Sequence, residues 1–405
     1  MVGLGGIWTF GCALAMAALV SADSVWAAGK ETVLYSFKNN GADGNGPAGD
    51  LLNVNGTLYG TTGSGGTSNV GTVFSIDPST GAETVLYSFQ NNGVDGAHPA
   101  AGLIDVDGTL YGTTSFGGAS DVGTVFSIDP STGAETVVYA FQNNGVDGAV
   151  PTDDLIDVDG TLYGTTQGGG DVSGDGTIFS IDLSTGVESV LHAFSSEDQD
   201  GRQPAAALID VDGTLYGTAP VGGQFGPGVV FSLDLSTDGY AVVYSFQGNS
   251  DGEYPDSNLI DVNGSLYGTT SAGGSGAACG GSASGCGTVF SVNPSTGSES
   301  VLYAFRNSGG DGANPIAGLI DIKGKLYGTT EHGGADRSGC NGIGCGTVFA
   351  IDVKTGAEKV LHSFKNKDGD GTLPFASLTD VRKELYGTTV GGGAQGRGTV
   401  FKIEP

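Results

Sequence analysis

The first candidate for chemistry is a short loop of the form Asp-Gly-x-x-Pro, which occurs seven times along the chain. Calcium prefers carboxylate and carbonyl oxygens from irregular loops, so one interpretation is a set of calcium sites. The other is turn chemistry, in which the aspartate accepts hydrogen bonds from backbone N–H groups and the glycine takes a positive φ. Both interpretations stay open at this point. The aspartates concerned are Asp43, Asp95, Asp147, Asp200, Asp251, Asp311 and Asp370.

Catalytic motifs are the second candidate, and the sequence offers none that can be assigned. Two of the four histidines, His192 and His362, stand where other repeats have tyrosine, so we expect them to pack within strands. No Ser-His-Asp arrangement and no glycine-rich phosphate loop entering a helix is recognisable. We therefore nominate no catalytic residue. The enzyme alternative is a glycosidase or lyase that uses a pair of the 44 acidic residues.

Four cysteines form two closely spaced pairs that predict disulfide bonds. Cys279 and Cys286 lie in ACGGSASGCG, and Cys340 and Cys345 lie in GCNGIGCG. No histidine stands near the first pair. Two local disulfides, which suit an exported protein, are therefore favoured over a zinc site. Residues 1–28 also indicate export, because an apolar stretch precedes small residues as in a signal peptide. We expect a secreted, periplasmic or extracellular protein.

A tandem repeat supplies the elements that position these residues. DGTLYGTT at 107–114 returns letter for letter at 159–166, and looser copies bring the total to seven. Within residues 101–147, an apolar run, an Asp-Gly turn and three further extended runs predict four strands without any helical period. Four-stranded antiparallel units that recur about every fifty residues are typical of propeller blades. We predict an all-β protein, a seven-bladed β-propeller.

The two ends of the repeat region indicate how the ring closes. The first predicted strand, ETVLYSF at 31–37, is of the fourth type, and the chain finishes in GTVFKIEP at 398–405, which is of the third type. The seventh blade lacks a fourth strand unless the N-terminal strand supplies it. We predict that it does, and that residues 29–405 form one closed domain rather than an open solenoid with capping repeats.

The links between strands alternate between the two faces of such a ring. One face, here called the turn face, carries near-identical Asp-Gly and Pro-Ser-Thr-Gly turns. The other, here called the loop face, carries longer and more varied loops, which are where binding commonly resides on a rigid scaffold. The candidate ligand-binding residues on the loop face are His98, Phe116, Phe225, Tyr254, His332 and Arg337.

Charge limits the partners. The formal net charge of −29 repels nucleic acid and anionic membrane surfaces. No second apolar segment follows the N-terminal one, so we expect no membrane span in the mature chain, and we expect a monomer. The favoured function is a binding or scaffold module for a polysaccharide or a surface protein. A calcium-stabilised structural or adhesive protein is a further alternative to the enzyme.

The repeated string LYGTT, GTVFSID, ETVLYSF and Asp-Gly-x-x-Pro resembles the GloVer tandem-repeat proteins, which are exported bacterial proteins. The resemblance covers about residues 31–405. It implies an extracellular or surface-associated β-propeller-like protein, and it transfers no catalytic residue because the family has no well-defined activity. The turns also resemble those of quinone-cofactor propellers, but the Trp-rich docking repeats of those enzymes are absent. No cofactor other than calcium is therefore predicted.

Overall fold

The computed structural model describes Met1 and residues 29–38, 40–90, 92–142, 144–195, 199–274, 279, 285–337 and 339–405. These residues form seven four-stranded antiparallel sheets, and no α-helix occurs among them. The predicted all-β, seven-bladed propeller is therefore confirmed. The predicted signal peptide falls outside the described residues. In the part of the chain that is described, no helix is long and apolar enough to cross a membrane.

Each blade runs from a short first strand near the axis to a fourth strand at the rim, since first strands of neighbouring blades contact each other. The first strands are Leu52–Val54, Ile104–Val106, Ile156–Val158, Ile209–Val211, Ile260–Val262, Ile320–Asp321 and Thr379–Val381. The second strands are Thr57–Thr62, Thr109–Thr114, Thr161–Thr166, Thr214–Ala219, Ser265–Thr270, Lys325–Thr330 and Glu384–Thr389. The third strands are Thr72–Ile76, Thr124–Ile128, Thr177–Asp182, Val229–Asp234, Thr288–Asn293, Thr347–Asp352 and Thr399–Glu404. The fourth strands are Glu83–Ser88, Glu135–Ala140, Val187–Ala193, Gly239–Ser245, Ser298–Ala304, Glu358–Ser363 and Lys30–Ser36.

Six blades carry an additional two-stranded sheet where the sequence pattern predicts loops. Each joins the Asp-Gly-x-x-Pro loop that enters a blade to that blade's link between second and third strands. Glycine is a poor strand former, which is why the pattern did not predict them. The pairs are Gly44–Asn45 with Ser64–Gly65, Gly96–Ala97 with Phe116–Gly117, Gly148–Ala149 with Gly168–Gly169, Gly201–Arg202 with Val221–Gly222, Gly312–Ala313 with His332–Gly333, and Gly371–Thr372 with Gly391–Gly392. A 3-10 turn, Cys340–Gly342, completes the elements.

The seventh blade is closed by the N-terminal strand. Lys30–Ser36 pairs antiparallel with Thr399–Glu404, and Lys30 lies opposite Glu404. The sheet order places this strand at the outer edge, in the position of a fourth strand. Ring closure by the two ends of the repeat region, as predicted from the strand types, is therefore confirmed.

Both predicted disulfides are present. Cys279 and Cys286 are bonded with their Cα atoms 5.1 Å apart, and Cys340 and Cys345 with theirs 5.3 Å apart. Each bond lies in the link between the second and third strands of its blade, in blades 5 and 6. Disulfides of this kind persist in oxidising compartments, which supports export of the protein.

Aromatic rings join neighbouring blades. The phenylalanine that follows each fourth strand packs edge-to-face on a third-strand phenylalanine of the next blade, as Phe89 does on Phe126 at 5.0 Å. Such pairs contribute roughly 0.5–1.5 kcal/mol each beyond their buried area. The glycine of each LYGTT leaves room for this ring: a Cβ on Gly112 would lie 2.8 Å from both Phe126 and Leu103. These contacts come from the glycine's own blade.

Candidate functional site

A cavity of about 320 Å³ lies at one mouth of the central channel. The segment between the loop proline and the first strand of every blade contributes to its wall, which places the cavity on the propeller axis. Gln167, which directly follows a second strand, also lines it, so the mouth opens on the loop face. The volume is within the range of small-molecule sites.

One to three of the positions between proline and leucine in each Pro-x-x-x-Leu segment line this wall, and most of these positions hold small residues. Alanine, glycine or serine occupies them in blades 2, 4 and 7, apart from Phe375. Three blades depart from the pattern with acidic or amide side chains. Those departures are Asp50 in blade 1, Asp153 and Asp154 in blade 3, and Asp256 and Asn258 in blade 5.

Part of this polar set ties the blades together at the axis. The Asp50 carboxylate accepts a 2.6 Å hydrogen bond from the Ser377 backbone N–H, and Asn258 accepts one of 2.8 Å from Ala207. Asp154 accepts from Gly102 in the same way. In each case the side chain of one blade satisfies a backbone donor of the preceding blade. These groups are therefore held in fixed positions around the channel.

The carboxyl of Asp153 is poorly compensated. Oδ2 of Asp153 is enclosed by protein and accepts no hydrogen bond from a described residue. Burial, and then the carboxylates of Asp154, Asp50 and Asp256, raise the pKa of Asp153 well above its usual range. No lysine, arginine or histidine occurs among the described lining residues. The carboxyls of the cavity therefore have no cationic side chain to compensate them among those residues.

Burial raises the pKa values of two cavity carboxyls, those of Asp154 and Asp256, toward neutral pH. Burial, and next the Asp50 carboxylate, raise the pKa of Asp154 to about 8. Burial also raises the pKa of Asp256 to about 6, although the Ser271 hydroxyl donates a 3.0 Å hydrogen bond to it. A carboxyl that keeps its proton can donate a hydrogen bond or act as a general acid.

The six predicted ligand-binding residues lie on loop-face segments, and none is among the described residues that line the cavity. His98 and Phe116 are brought together with ring centroids 5.8 Å apart, and His98 also bonds the Gly63 carbonyl at 2.8 Å. Tyr254 is 44% exposed and, like His98, has a left-handed backbone. These side chains could contact a ligand larger than the cavity.

The other three predicted residues lie in the links between second and third strands of blades 4 and 6. Phe225 is 53% exposed in the loop of blade 4. His332 lies 3.2 Å from the Glu331 carboxylate. Arg337 donates to the Asn307 side chain at 2.7 Å. Their roles in ligand binding stay predictions.

The seven aspartates of the predicted calcium loops lie one at each interface between blades. Asp95 is representative: its carboxylate accepts from the Tyr87 hydroxyl at 2.9 Å and from the backbone N–H groups of Gln90 and Gly96 at 2.8 and 2.7 Å. These bonds are those of the turn-chemistry interpretation. The calcium interpretation stays a prediction, and each site would have one such aspartate rather than a cluster of them.

Each aspartate belongs to a set of three side chains, here called an interface trio. Its members are an aromatic residue on a fourth strand, the aspartate of the following loop, and a residue on the fourth strand of the next blade. The trios are Tyr35, Asp43 and Glu83; Tyr87, Asp95 and Glu135; Tyr139, Asp147 and Glu188; His192, Asp200 and Tyr240; Tyr244, Asp251 and Glu299; Tyr303, Asp311 and Glu358; and His362, Asp370 and Glu31.

The glutamates of six trios share one environment. Oε1 of each is buried and has no hydrogen-bond partner among the described residues. Burial is the main cause that raises the pKa of these glutamates to about 7, and that of Glu299 to about 8. His192 and His362 also pack edge-to-face on Phe194 and Phe364, as expected for strand packing residues.

Sequence reasoning missed the channel carboxyls. It emphasised the aspartate that every repeat shares and the long loops, whereas the cavity is marked by residues that differ between repeats. The available signal was the departure of PAGDLL, PTDDLI and PDSNLI from small-residue versions such as PAAALI. A residue that breaks an otherwise uniform repeat is a better indicator of a site here than one that maintains it.

Comparison with solved structures supports the fold. An oligogalacturonate lyase in complex with manganese is similar with a TM-score of 0.55 and 14% identity, over 94% of this chain and 98% of that chain. An oligogalacturonate lyase from Vibrio parahaemolyticus has a TM-score of 0.51 and 10% identity, over 93% and 97%. The extracellular domain of a hybrid two-component system from B. thetaiotaomicron reaches 0.58 at 10% identity, over 91% of this chain and 40% of that chain. At these identities the likeness concerns the fold alone.

The sequence comparisons identify the family. None of the curated proteins matches the chain. The family described as the Gloeobacter/Verrucomicrobia repeat matches residues 22–173, 92–280 and 275–405, which together cover the whole propeller. The repeat motif in the sequence and the family match agree, and this chain belongs to the Gloeobacter/Verrucomicrobia repeat family.

Proposed function

We propose that the protein is an exported binding module whose ligand enters the mouth of the central channel on the loop face. The observation that carries this proposal is the convergence of Asp50, Asp153, Asp154 and Asp256 on one cavity, without a cationic partner among the described lining residues. Buried carboxyls that are neither paired nor fully hydrogen-bonded are costly. A ligand that compensates them regains that free energy on binding.

The charge of the cavity favours a ligand that carries an ammonium or guanidinium group. Of the partner classes that the sequence indicates, this corresponds to a polysaccharide with free amino sugars or a surface protein with an exposed lysine or arginine. Acidic polysaccharides are disfavoured, because the net charge of −29 repels them as well. Exposed aromatic groups on the same face, such as Phe375 and Tyr254, offer apolar contact around the charged centre.

A binding experiment with two matched variants tests the proposal. The whole chain is screened on an array of amino-sugar, neutral and acidic glycans and of lysine- or arginine-bearing peptides, with calcium and with chelator. In the first, here called the channel variant, Asp153, Asp154 and Asp256 become asparagine. The second, here called the turn-face variant, replaces three exposed turn-face aspartates by asparagine. Other repeats already have asparagine at the equivalent position. This control carries Asp107→Asn, Asp159→Asn and Asp212→Asn.

Selective binding of cationic probes that the channel variant loses and the turn-face variant keeps would support the proposal. The affinity should rise between about pH 6 and pH 8, as the carboxyls of Asp256 and Asp154 ionise. Equal losses in both variants would indicate a general charge effect and would refute the channel as the site. A blank array in both conditions would refute the cationic ligand. Binding that disappears only in chelator would support the calcium interpretation of the Asp-Gly loops.

A carbohydrate-active enzyme, glycosidase or lyase, is the second candidate. The observation that favours it is the presence of carboxyls with pKa values near neutrality, which can act as general acids. Incubation with a polysaccharide panel should then release product, and Asp256→Asn should abolish the release while the turn-face variant keeps it. Saturable binding without product would leave the binding module as the function.

A further inference from the structure

One interface trio differs in chemistry from the other six. Five trios combine tyrosine, aspartate and glutamate, and one combines His192 and Asp200 with Tyr240, whose ring stacks on the histidine at 3.8 Å. The trio between blades 6 and 7 combines His362, Asp370 and Glu31. It is the one trio made only of histidine and carboxylate side chains.

The donor atoms of this trio are close together and incompletely used. All three lie within 4.8 Å of one another, and Nε2 of His362 is 3.3 Å from Oδ2 of Asp370. Neither Nε2 of His362 nor Oε1 of Glu31 has a hydrogen-bond partner of good geometry among the described residues, and both atoms are buried. Two oxygens and one nitrogen thus surround a common point.

The supporting contacts fix the histidine ring. His362 packs edge-to-face on Phe364 with centroids 4.7 Å apart, and its side chain is 16% exposed. Asp370 is held from the other side, because the backbone N–H groups of Lys365 and Gly371 donate to its carboxylate at 3.0 and 2.8 Å. Glu31 lies on the N-terminal strand, whose position is set by pairing with Thr399–Glu404.

We propose that His362, Asp370 and Glu31 form a binding site for one divalent transition-metal ion, with zinc as the reference ion. Donors about 2.1 Å from a tetrahedral zinc lie about 3.4 Å apart. The 3.3 Å separation between His362 and Asp370 matches this spacing, and a small movement of the Glu31 side chain brings in the third ligand. The imidazole ligand selects zinc or a similar ion over calcium, which takes oxygen ligands. Three protein ligands leave one coordination position open.

Such a site would join the N-terminal strand to blade 6. Glu31 belongs to the strand that completes blade 7, whereas His362 and Asp370 belong to blade 6 and the loop that follows it. A bound ion would therefore connect the N-terminal strand to blade 6, in addition to the strand pairing that holds it in blade 7. The other interfaces make no comparable connection, because tyrosine replaces one of the ligands in each of them.

The repeat provides both a loss and a gain variant. His362→Tyr gives the blade 6–7 interface the tyrosine found in five other trios, so the fold should tolerate it. Tyr303→His should build a second His-Asp-Glu set with Asp311 and Glu358, since Tyr303 already lies 3.1 Å from the Asp311 carboxylate. The channel variant described above controls for binding to the carboxyls of the central cavity.

The test is calorimetric titration of zinc into the untagged, metal-stripped whole chain. We expect one equivalent to bind, His362→Tyr to weaken that binding at least tenfold, and Tyr303→His to raise the stoichiometry to two. Cobalt absorption provides a second readout, because four-coordinate cobalt(II) produces intense visible bands, which the loss of a ligand in His362→Tyr should remove. Circular dichroism checks that the variants keep their fold.

The proposal fails if the wild-type chain binds no zinc, or if His362→Tyr binds it as tightly as the wild type. It also fails if only the channel variant loses binding, since the ion would then occupy the central cavity. A Tyr303→His variant that does not fold leaves the His362→Tyr comparison and the cobalt spectrum as decisive results. Calcium should compete for the site poorly, and effective competition would contradict ligation by the imidazole.

Discussion

Replacing Glu188 by glutamine should stabilise the protein at about pH 8. Near pH 4.5, the ordinary pKa of a glutamate side chain, the replacement should leave the stability almost unchanged. Glu188 belongs to the trio with Tyr139 and Asp147. The Tyr139 hydroxyl donates to Asp147 at 2.9 Å and lies 3.4 Å from Oε2 of Glu188. Since the hydroxyl has one hydrogen and uses it toward Asp147, a protonated Glu188 is the partner that completes the arrangement.

The magnitude follows from the pKa of this carboxyl. Burial, and then the Asp147 carboxylate, raise the pKa of Glu188 from 4.5 to about 7. A shift of this size would correspond to about 3.4 kcal/mol at about 1.4 kcal/mol per unit. Glu188 is only partly buried, so solvent screening reduces the expected effect to about 1 kcal/mol. Because the folded pKa is raised, the stabilisation is complete below 4.5 and is lost as the pH rises through about 7. Glutamine stays neutral at every pH and avoids that loss.

Thermal denaturation of the wild type and Glu188→Gln, measured between about pH 4.5 and 8, checks the prediction. The melting temperatures should coincide at the acid end and differ by about 1–2 °C at pH 8, with the variant higher. Glu384→Gln is a control of opposite sign, because hydrogen bonds from Tyr386 and Lys402 lower the pKa of that carboxyl. Curves for Glu188→Gln that run parallel to the wild type, or a variant less stable at pH 8, would show that the fold does not raise the pKa of Glu188.

Three further predictions concern stability. Gly112→Ala should lower the free energy of unfolding by about 1–3 kcal/mol, because its Cβ would lie 2.8 Å from Phe126; an unchanged melting temperature would contradict the close packing. Tyr139→Phe should destabilise by about 1–2 kcal/mol in urea denaturation, since Asp147 loses a hydroxyl donor, and a neutral outcome would mean that this hydrogen bond contributes nothing net. Cys279→Ser should cost about 2 kcal/mol through loss of a bond that spans 7 residues, and a variant that melts with the wild type would show that the bond does not constrain the unfolded chain.

The fold was predictable because the same pattern of strands and turns occurs seven times in the sequence. Alternation within each run predicted the strands, and the different strand types at the two ends predicted that Lys30–Ser36 would complete the last blade. The first strand of blade 2 is shorter than the apolar run GLIDV, because the run begins in the segment near the axis, where the Gly102 N–H donates to Asp154 of blade 3. There the Thr61 hydroxyl of blade 1 donates to the Ala101 carbonyl at 2.6 Å. Such inter-blade bonds have no signature within one repeat.

The candidate sites were less predictable, for a related reason. A site at the axis or at a blade interface assembles from residues about fifty positions apart, so no local spacing reveals it. His362 appeared to be a packing residue in sequence, and it does pack on Phe364. Its relation to Glu31, more than three hundred residues away, depends on ring closure. The channel carboxyls likewise come together only once blades 1, 3 and 5 are arranged about one axis.

The closure of blade 7 determines how the molecule can be presented to its surroundings. Lys30 and Glu404 lie opposite each other in blade 7. Their position corresponds to that of residues 77–82 in blade 1, which form a turn on the turn face, so both ends of the ring leave from that face. A carrier protein, label or tether joined there would project away from the channel mouth. The protein can therefore be immobilised at this position with the loop face outward. A short turn joining the two ends, together with a new opening at any Asp-Gly turn, would give circularly permuted chains that retain all seven blades.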